Sequence, residues 1–249
     1  MMRSSFGPYR TVAVVTALLL ILLPGILGAQ LRSITAFTDY SLATGKRMNV
    51  ETASAVGGGT QVRFGLSEEF AVGFSLGYKL YSLSQKDQLT AWNWDFWNNR
   101  YSITIRSNIL ADPNLSVQVG SVQKIDMVPA ALTADHTLAL SDDLHLISSL
   151  SAGAVFFSRR MFIVETWTKR FPAADHVFTY SYRNFAPNKK GSVLLASPGV
   201  TARYRLFESA ELTAGARFTQ YFIVDGLVGS QEFPFDNDIN LTIGLDFAY

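Results

Sequence analysis

The chain has 249 residues, of which 48% are hydrophobic, 13% aromatic and only 16% charged, and its net charge is +1. This excludes a disordered chain, which needs low hydrophobicity and high charge, and leaves no basic excess of the kind a nucleic-acid binder uses to neutralise phosphates. The absence of cysteine excludes disulfide scaffolds, thiolate metal sites and cysteine nucleophiles.

Residues 1–29 read as an export segment. Arg3 and Arg10 flank a charge-free stretch from 11 to 23, Pro24 and Gly25 break it, and Gly28 and Ala29 supply small residues for cleavage, which is the layout of a secretory signal peptide. A permanent anchor over 11–29 is the competing reading, since about 20 residues span a bilayer. Residues 30–249 contain no second apolar run of that length, so no transmembrane helix is expected there.

The far end of the chain carries the clearest pattern. In residues 239–249, Ile239, Leu241, Ile243, Leu245, Phe247 and Tyr249 alternate with Asn240, Thr242, Gly244, Asp246 and Ala248. Period two describes a strand with one apolar and one polar face, and about 9–11 tilted residues cross a bilayer as a strand. On these residues the chain resembles small bacterial outer-membrane β-barrel proteins, whose last strand ends in an aromatic preceded by alternating apolar residues. The resemblance implies that Ile243, Leu245, Phe247 and Tyr249 form the signal read by the barrel-assembly machinery and that the chain lies in the outer membrane among its lipids; no cofactor is expected, and three scattered histidines without cysteine do not make a zinc site.

The same alternation recurs upstream: Val62/Phe64/Leu66, Phe74/Leu76/Tyr78/Leu80, Tyr101/Ile103/Ile105, Leu115/Val117/Val119, Val200/Ala202/Tyr204/Leu206 and Leu212/Ala214/Ala216/Phe218. In each series the apolar set is expected to face lipid and the polar set the lumen. Residues 146–157 are apolar on both sides, so their facing stays open. Four short connections, Ser67-Glu68-Glu69, Asp112-Pro113-Asn114, Ser141-Asp142-Asp143 and Phe207-Glu208-Ser209, read as periplasmic turns. With the last strand and residues 31–42 they give an antiparallel up-and-down barrel of ten strands. Eight is the alternative, because 31–42 and 131–140 are weakly patterned. Outer loops are expected near 43–57, 85–97, 125–131, 158–192 and 223–235, the fourth carrying a hairpin with its turn at 172–176.

Parity places Arg63, Lys79, Arg106, Arg203, Arg205 and Arg217 in the lumen, with Asp39 and Asp246 as the inward acids. A barrel this small is expected to be filled by side chains, with a narrow anion-preferring path as the alternative, since rings of Arg and Lys favour anions. Trp92, Trp94, Phe96 and Trp97 are a candidate surface platform for a glycan or partner, or else an interfacial aromatic girdle. The resemblance also brings in barrel enzymes such as the omptin surface proteases, which use aspartates and a histidine. Here His136, His145 and His176 are scattered, and an adjacent Asp-His pair splits between the two faces of a strand, so exposed histidines are the expectation. Asp236-Asn237-Asp238 could offer oxygen ligands to calcium but reads as a solvated loop, and Gly57-Gly58-Gly59 reads as a flexible loop rather than a phosphate cradle. The expected role is a non-enzymatic structural or surface-interaction protein acting through its outer loops. A narrow channel and a surface hydrolase follow as alternatives.

Overall fold

A strand that is apolar on one side and polar on the other can satisfy both faces in a bilayer only if the sheet closes on itself, so that no backbone edge meets lipid. The computed structural model, which describes residues 30–86 and 92–249, closes in this way. The export segment expected at 1–29 lies outside the described residues. The strands are β1 (Gln30–Lys46), β2 (Val50–Gly65), β3 (Phe70–Gln85), β4 (Leu115–Ala139), β5 (Leu144–Phe171), β6 (His176–Phe185), β7 (Lys189–Phe207), β8 (Ala210–Phe222) and β9 (Phe235–Ala248). Neighbours pair antiparallel in the order β4-β3-β2-β1-β9-β8-β7-β5, and a β4–β5 ladder closes the ring. β6 stands outside the ring and pairs only with the far half of β5.

The ring therefore has eight strands, the expected alternative, and not ten. Two segments account for the difference. Residues 101–106 are not a strand: a short helix α1 (Asp95–Asn99), a π-helical turn (Arg100–Ile105) and a second helix α2 (Arg106–Ala111) cross this region. β3 pairs directly with β4 and β4 with β5, so the ring closes without 101–106, and the backbone groups of that segment are satisfied locally in helical turns. The two segments read as separate strands around an outer loop at 125–131 are one 25-residue strand. Pro129 lies within this strand. It cannot donate to a ladder, and the β3–β4 pairing skips from Leu76↔Ala130 to Lys79↔Met127 around it, yet pairing to β5 runs through unbroken. Pro198 leaves a similar gap between β7 and β8.

Three of the four expected short turns join strands at one end. Two of them are alike: Phe70 N donates to Ser67 Oγ at 3.1 Å, and Leu144 N donates to Ser141 Oγ at 3.1 Å. The fourth, Asp112-Pro113-Asn114, lies at the opposite end, directly before β4. The loop expected at 43–57 is a tight hairpin whose central residues, Met48 and Asn49, both have positive φ, as a type I′ turn requires. Gly57, Gly58 and Gly59 lie within β2 and are not a loop. A Cβ at Gly57 would stand 2.4 Å from Asp39 Oδ1, so the missing side chain makes room for the lumen contents.

The outer face carries a continuous apolar belt of about 9–11 residues per strand, the length a tilted strand needs to cross a bilayer. Exposed members include Phe70, Phe74 and Leu76 on β3, Leu132 and Val128 on β4, Leu150 and Phe156 on β5, Val200 and Tyr204 on β7, and Ile239, Leu241, Ile243, Leu245 and Phe247 on β9. Residues 146–157 resolve into the same scheme, with Ile147, Ser151 and Val155 buried inside and Leu150 and Phe156 outside. Leu115, Val117 and Val119 reverse the expectation. They continue the inner face of β4, in register with Lys169, Trp167 and Glu165, in a part of the strand beyond the belt.

Candidate functional site: the lumen and the wall beyond the belt

Inward positions of the turn-side half are mostly small or polar, and most of their charges pair. Arg63 Nε lies 2.8 Å from Asp135 and its Nη1 3.0 Å from Asp246, while Nη1 also donates to Thr35 Oγ1 at 2.8 Å. Arg203 lies 3.3 Å from Asp246 and 3.0 Å from Glu211. The Glu211 approach is a contact of charge without hydrogen-bond alignment, since neither atom has a bonded partner. Arg217 donates to Gln61 Oε1 at 3.2 Å. Buried charges persist when paired and hydrogen-bonded in this way. Above this layer Lys79 bridges Asp39 at 2.8 Å and Ser41 at 2.9 Å. Asp238 accepts from Tyr221 at 2.8 Å, from Asn240 at 2.7 Å and from Tyr81. A cavity of about 60 Å³ lies between Lys79, Arg217, Ser151 and Tyr221, room for a few waters.

The far mouth of the barrel is filled by apolar groups. The β8–β9 loop turns back so that Phe233 and Phe235 are fully buried against Tyr81, Tyr221, Phe157, Met127 and Val193. Phe233 and Phe235 pack at steep ring angles against one another at 4.6 Å and against Tyr221 at 4.8 and 5.6 Å. Next to them Arg159 donates to the Glu232 carbonyl at 2.9 Å and to Gln123 at 3.2 Å. Burial pushes its guanidinium down to about 10, against the pull of Glu232.

Beyond the belt, β4, β5 and β6 continue as a wall that extends roughly 50 Å along the strand direction, at about 3.3 Å per residue. Period two continues with it. Thr166 and Thr168 face outward and meet Ser181 and Thr179 at 2.9 and 3.3 Å. The axis-facing side carries Glu165, Trp167 and Lys169 opposite Tyr182, Tyr180 and Phe178. Glu165 has no solvent exposure and is the hub of this face. It accepts from Arg100 Nε at 2.6 Å and Nη2 at 2.8 Å, Trp167 Nε1 at 2.9 Å, Tyr182 OH at 2.6 Å and Asn184 at 2.8 Å. Trp92, Met161, Ile163 and Ala186 form a second small core with Trp94 and Val119 beside it. The 92–111 segment is thus clamped onto the wall.

The wall's outer edge is free. All of β6 from His176 to Ser181 is exposed, its second edge pairs with no described strand, and Phe178, Tyr180 and Tyr182 form a ladder at 5.7 and 6.3 Å.

The expected site residues separate accordingly. Arg63, Lys79, Arg203, Arg217, Asp39 and Asp246 meet in the lumen. Arg205 has the right parity but stands at the turn-side rim, half exposed and 3.7 Å from Asp143, because β7 has already passed below the filled interior there. Arg106 is on α2, exposed and outside the lumen, because its segment is helical. Trp92 is only 2% exposed, with Arg159 and Lys189 5.0 and 5.4 Å from its ring; it is a core residue and not a platform. Trp94 and Phe96 stack at 4.8 Å, and of the two Phe96 is the exposed one. The Trp97 side chain lies outside the described groups. Ile243, Leu245, Phe247 and Tyr249 share the outer face. The histidines do not converge. His136 is on the outer face against Phe70 at 4.8 Å, while its neighbour Asp135 points inward. His145 is half-buried near the turn-side end, and His176 is exposed at the tip of the wall. No cluster of metal-binding side chains occurs among the described residues. Asp135, Glu211 and Glu165 escaped the sequence reading as site residues, and Asp238, read as part of a solvated loop at 236–238, is instead a fully buried residue of β9. The parity that identified Arg203 would have identified Glu211, whereas Glu165 lies in what read as loop.

A closed eight-stranded antiparallel ring with an apolar outer belt, short turns at one end and long extensions at the other defines an outer-membrane β-barrel membrane protein. No protein-family model matches the chain, and no curated protein matches it. Solved structures of small outer-membrane barrels do match over most of its length. The attachment invasion locus protein Ail of Yersinia pestis, solved with the heparin analogue sucrose octasulfate, aligns over 88% of this chain and 98% of its own at 8% identity and a TM-score of 0.42. Neisserial surface protein A aligns over 89% and 99% at 12% identity and 0.40. A major outer membrane protein from Thermus thermophilus aligns over 86% and 99% at 12% identity and 0.39. The likeness is one of architecture.

Proposed function

We propose that this chain is a non-enzymatic surface-interaction protein of the bacterial outer membrane, exported through residues 1–29 and presenting its β4–β5–β6 wall to partners or glycans outside the cell. One observation carries the reading: β6 is a free strand edge held beyond the lipid belt, with Val177, Phe178 (52% exposed) and Tyr180 uncovered. Apolar groups in the belt are covered by lipid, but these are not, and exposed aromatic patches on a rigid support mark interaction surfaces. A free edge also offers unpaired backbone groups to an extended segment of a partner. The outward series Ile243, Leu245, Phe247 and Tyr249 fits recognition by the barrel-assembly machinery.

The test is a whole-cell binding assay on a glycan array and on host-cell monolayers. Cells displaying the wild type should bind, and cells displaying a Phe178→Ser/Tyr180→Ser variant at equal surface density should bind at background. Equal binding by both would remove β6 from the interaction surface.

A further inference from the structure

The outer wall carries a cationic cluster at the upper limit of the belt. On β5 the outward apolar series ends at Phe156 and continues with Ser158 and Arg160. On β4 it ends at Val128 and continues with Asp126 and Lys124, and on β7 it ends at Leu194 and continues with Ser192 and Lys190. Register makes these positions neighbours, with Lys124 directly opposite Arg160, Asp126 opposite Ser158, and Ser158 opposite Lys190. Arg160 is held by Asp126 at 2.6 Å, and Asp126 also accepts from Tyr78 OH at 2.5 Å. Lys124 and Lys190 have no ion-pair partner among the described residues. Asp126 offsets the charge of Arg160, but Lys124 stands directly opposite that arginine, and like charges so placed repel, so an external anion would relieve the pair. Three cations and one acid leave a surplus of two positive charges around the Ser158 hydroxyl. That matches the charge of −1.5 to −2 that a phosphomonoester carries near neutral pH. The height fits a headgroup, because the cluster begins one inward–outward repeat above the last lipid-facing residues.

We infer that Lys124, Arg160 and Lys190, with the Ser158 hydroxyl, bind the phosphomonoester headgroup of a lipid in the surrounding outer leaflet. The Phe162–Phe185 pair at 5.8 Å, with Arg183 5.3 Å from the Phe162 ring, stands directly above and would contact the rest of that headgroup. The site lies on the lipid-facing side of the wall and is separate from the aromatic ladder of β6, so either reading can fail without the other.

The experiment uses the full-length protein reconstituted in phosphatidylcholine vesicles with and without phosphatidic acid, a phosphomonoester lipid. Co-purifying lipid is quantified by native mass spectrometry. The wild type should retain phosphatidic acid in preference to phosphatidylcholine and to the diester phosphatidylglycerol. A Lys124→Gln/Lys190→Gln variant should lose roughly 30-fold of that preference, at about fivefold per lysine near an anionic surface. Its barrel is checked by heat-modifiable migration on gels. Arg160→Gln provides a second, single-site reading of the same loss. Equal retention by wild type and double variant overturns the proposal. Retention of phosphatidylglycerol equal to that of phosphatidic acid overturns the phosphomonoester assignment.

Discussion

Glu165 shows most directly how one residue organises the half of the molecule beyond the belt. Its carboxylate is fully buried and takes hydrogen bonds from Arg100, Trp167, Tyr182 and Asn184. Removing one partner of a buried ion pair typically costs about 3–5 kcal/mol, and the lower figure applies here because Arg100 is a quarter exposed and can turn to water. Glu165→Ala is expected to release the 92–111 segment while the barrel stays closed, raising hydrogen exchange at 92–111 and 180–186 and leaving β1, β8 and β9 protected. Unchanged protection at 92–111 would mean that the Trp92–Met161–Ile163 core holds the segment without the carboxylate. None of this was legible in the sequence, where Glu165 stands in a stretch with no turn-side partner and Arg100 precedes what looked like a strand.

Among the elements, the two short helices depend on ties at both ends. At the far end Lys169 holds Asp112, and the hydrogen bond from this lysine, helped by Asn114 N at 3.1 Å, lowers the Asp112 carboxyl below its ordinary value of 3.8. A carboxyl lowered in the folded state contributes stability that is present above its unfolded value and is lost as pH falls through the folded one. The tie is therefore expected to be intact at neutral pH and to weaken only below about pH 4, with local exchange at 110–115 rising there. Asp112→Asn should give the loosened behaviour at every pH, and a local transition centred near neutrality would rule the tie out as its cause. The same elements show why periodicity misread this region. Tyr101, Ile103 and Ile105 alternate as a strand would, but short apolar runs do not separate strand from helix. The choice fell to the ladders, which had already paired β3 with β4.

At the scale of the whole molecule, the interior is filled in three layers: ion pairs around Arg63 and Arg203, a hydrogen-bonded middle around Lys79 and Asp238, and the Phe233–Phe235 plug. The lumen offers no ring of unopposed cations, since four basic groups (Arg63, Lys79, Arg203, Arg217) face five acids (Asp39, Asp135, Glu211, Asp238, Asp246). Purified protein in planar bilayers is accordingly expected to show no steady conductance. A clear anion-selective current would restore the channel reading.

The sequence by itself determined the membrane-crossing alternation, three of the four short turns, the inward parity of Arg63, Lys79, Arg203 and Arg217, and the hairpin at 172–176, because period two and turn chemistry are local properties of the chain. The tertiary structure decided the strand count, the helical fate of 95–111 and the acid partners of the lumen arginines. Each of these depends on which backbone edge is already occupied and which side chains meet across the barrel, and those relations join residues such as Arg63 and Asp246 that lie far apart in the chain.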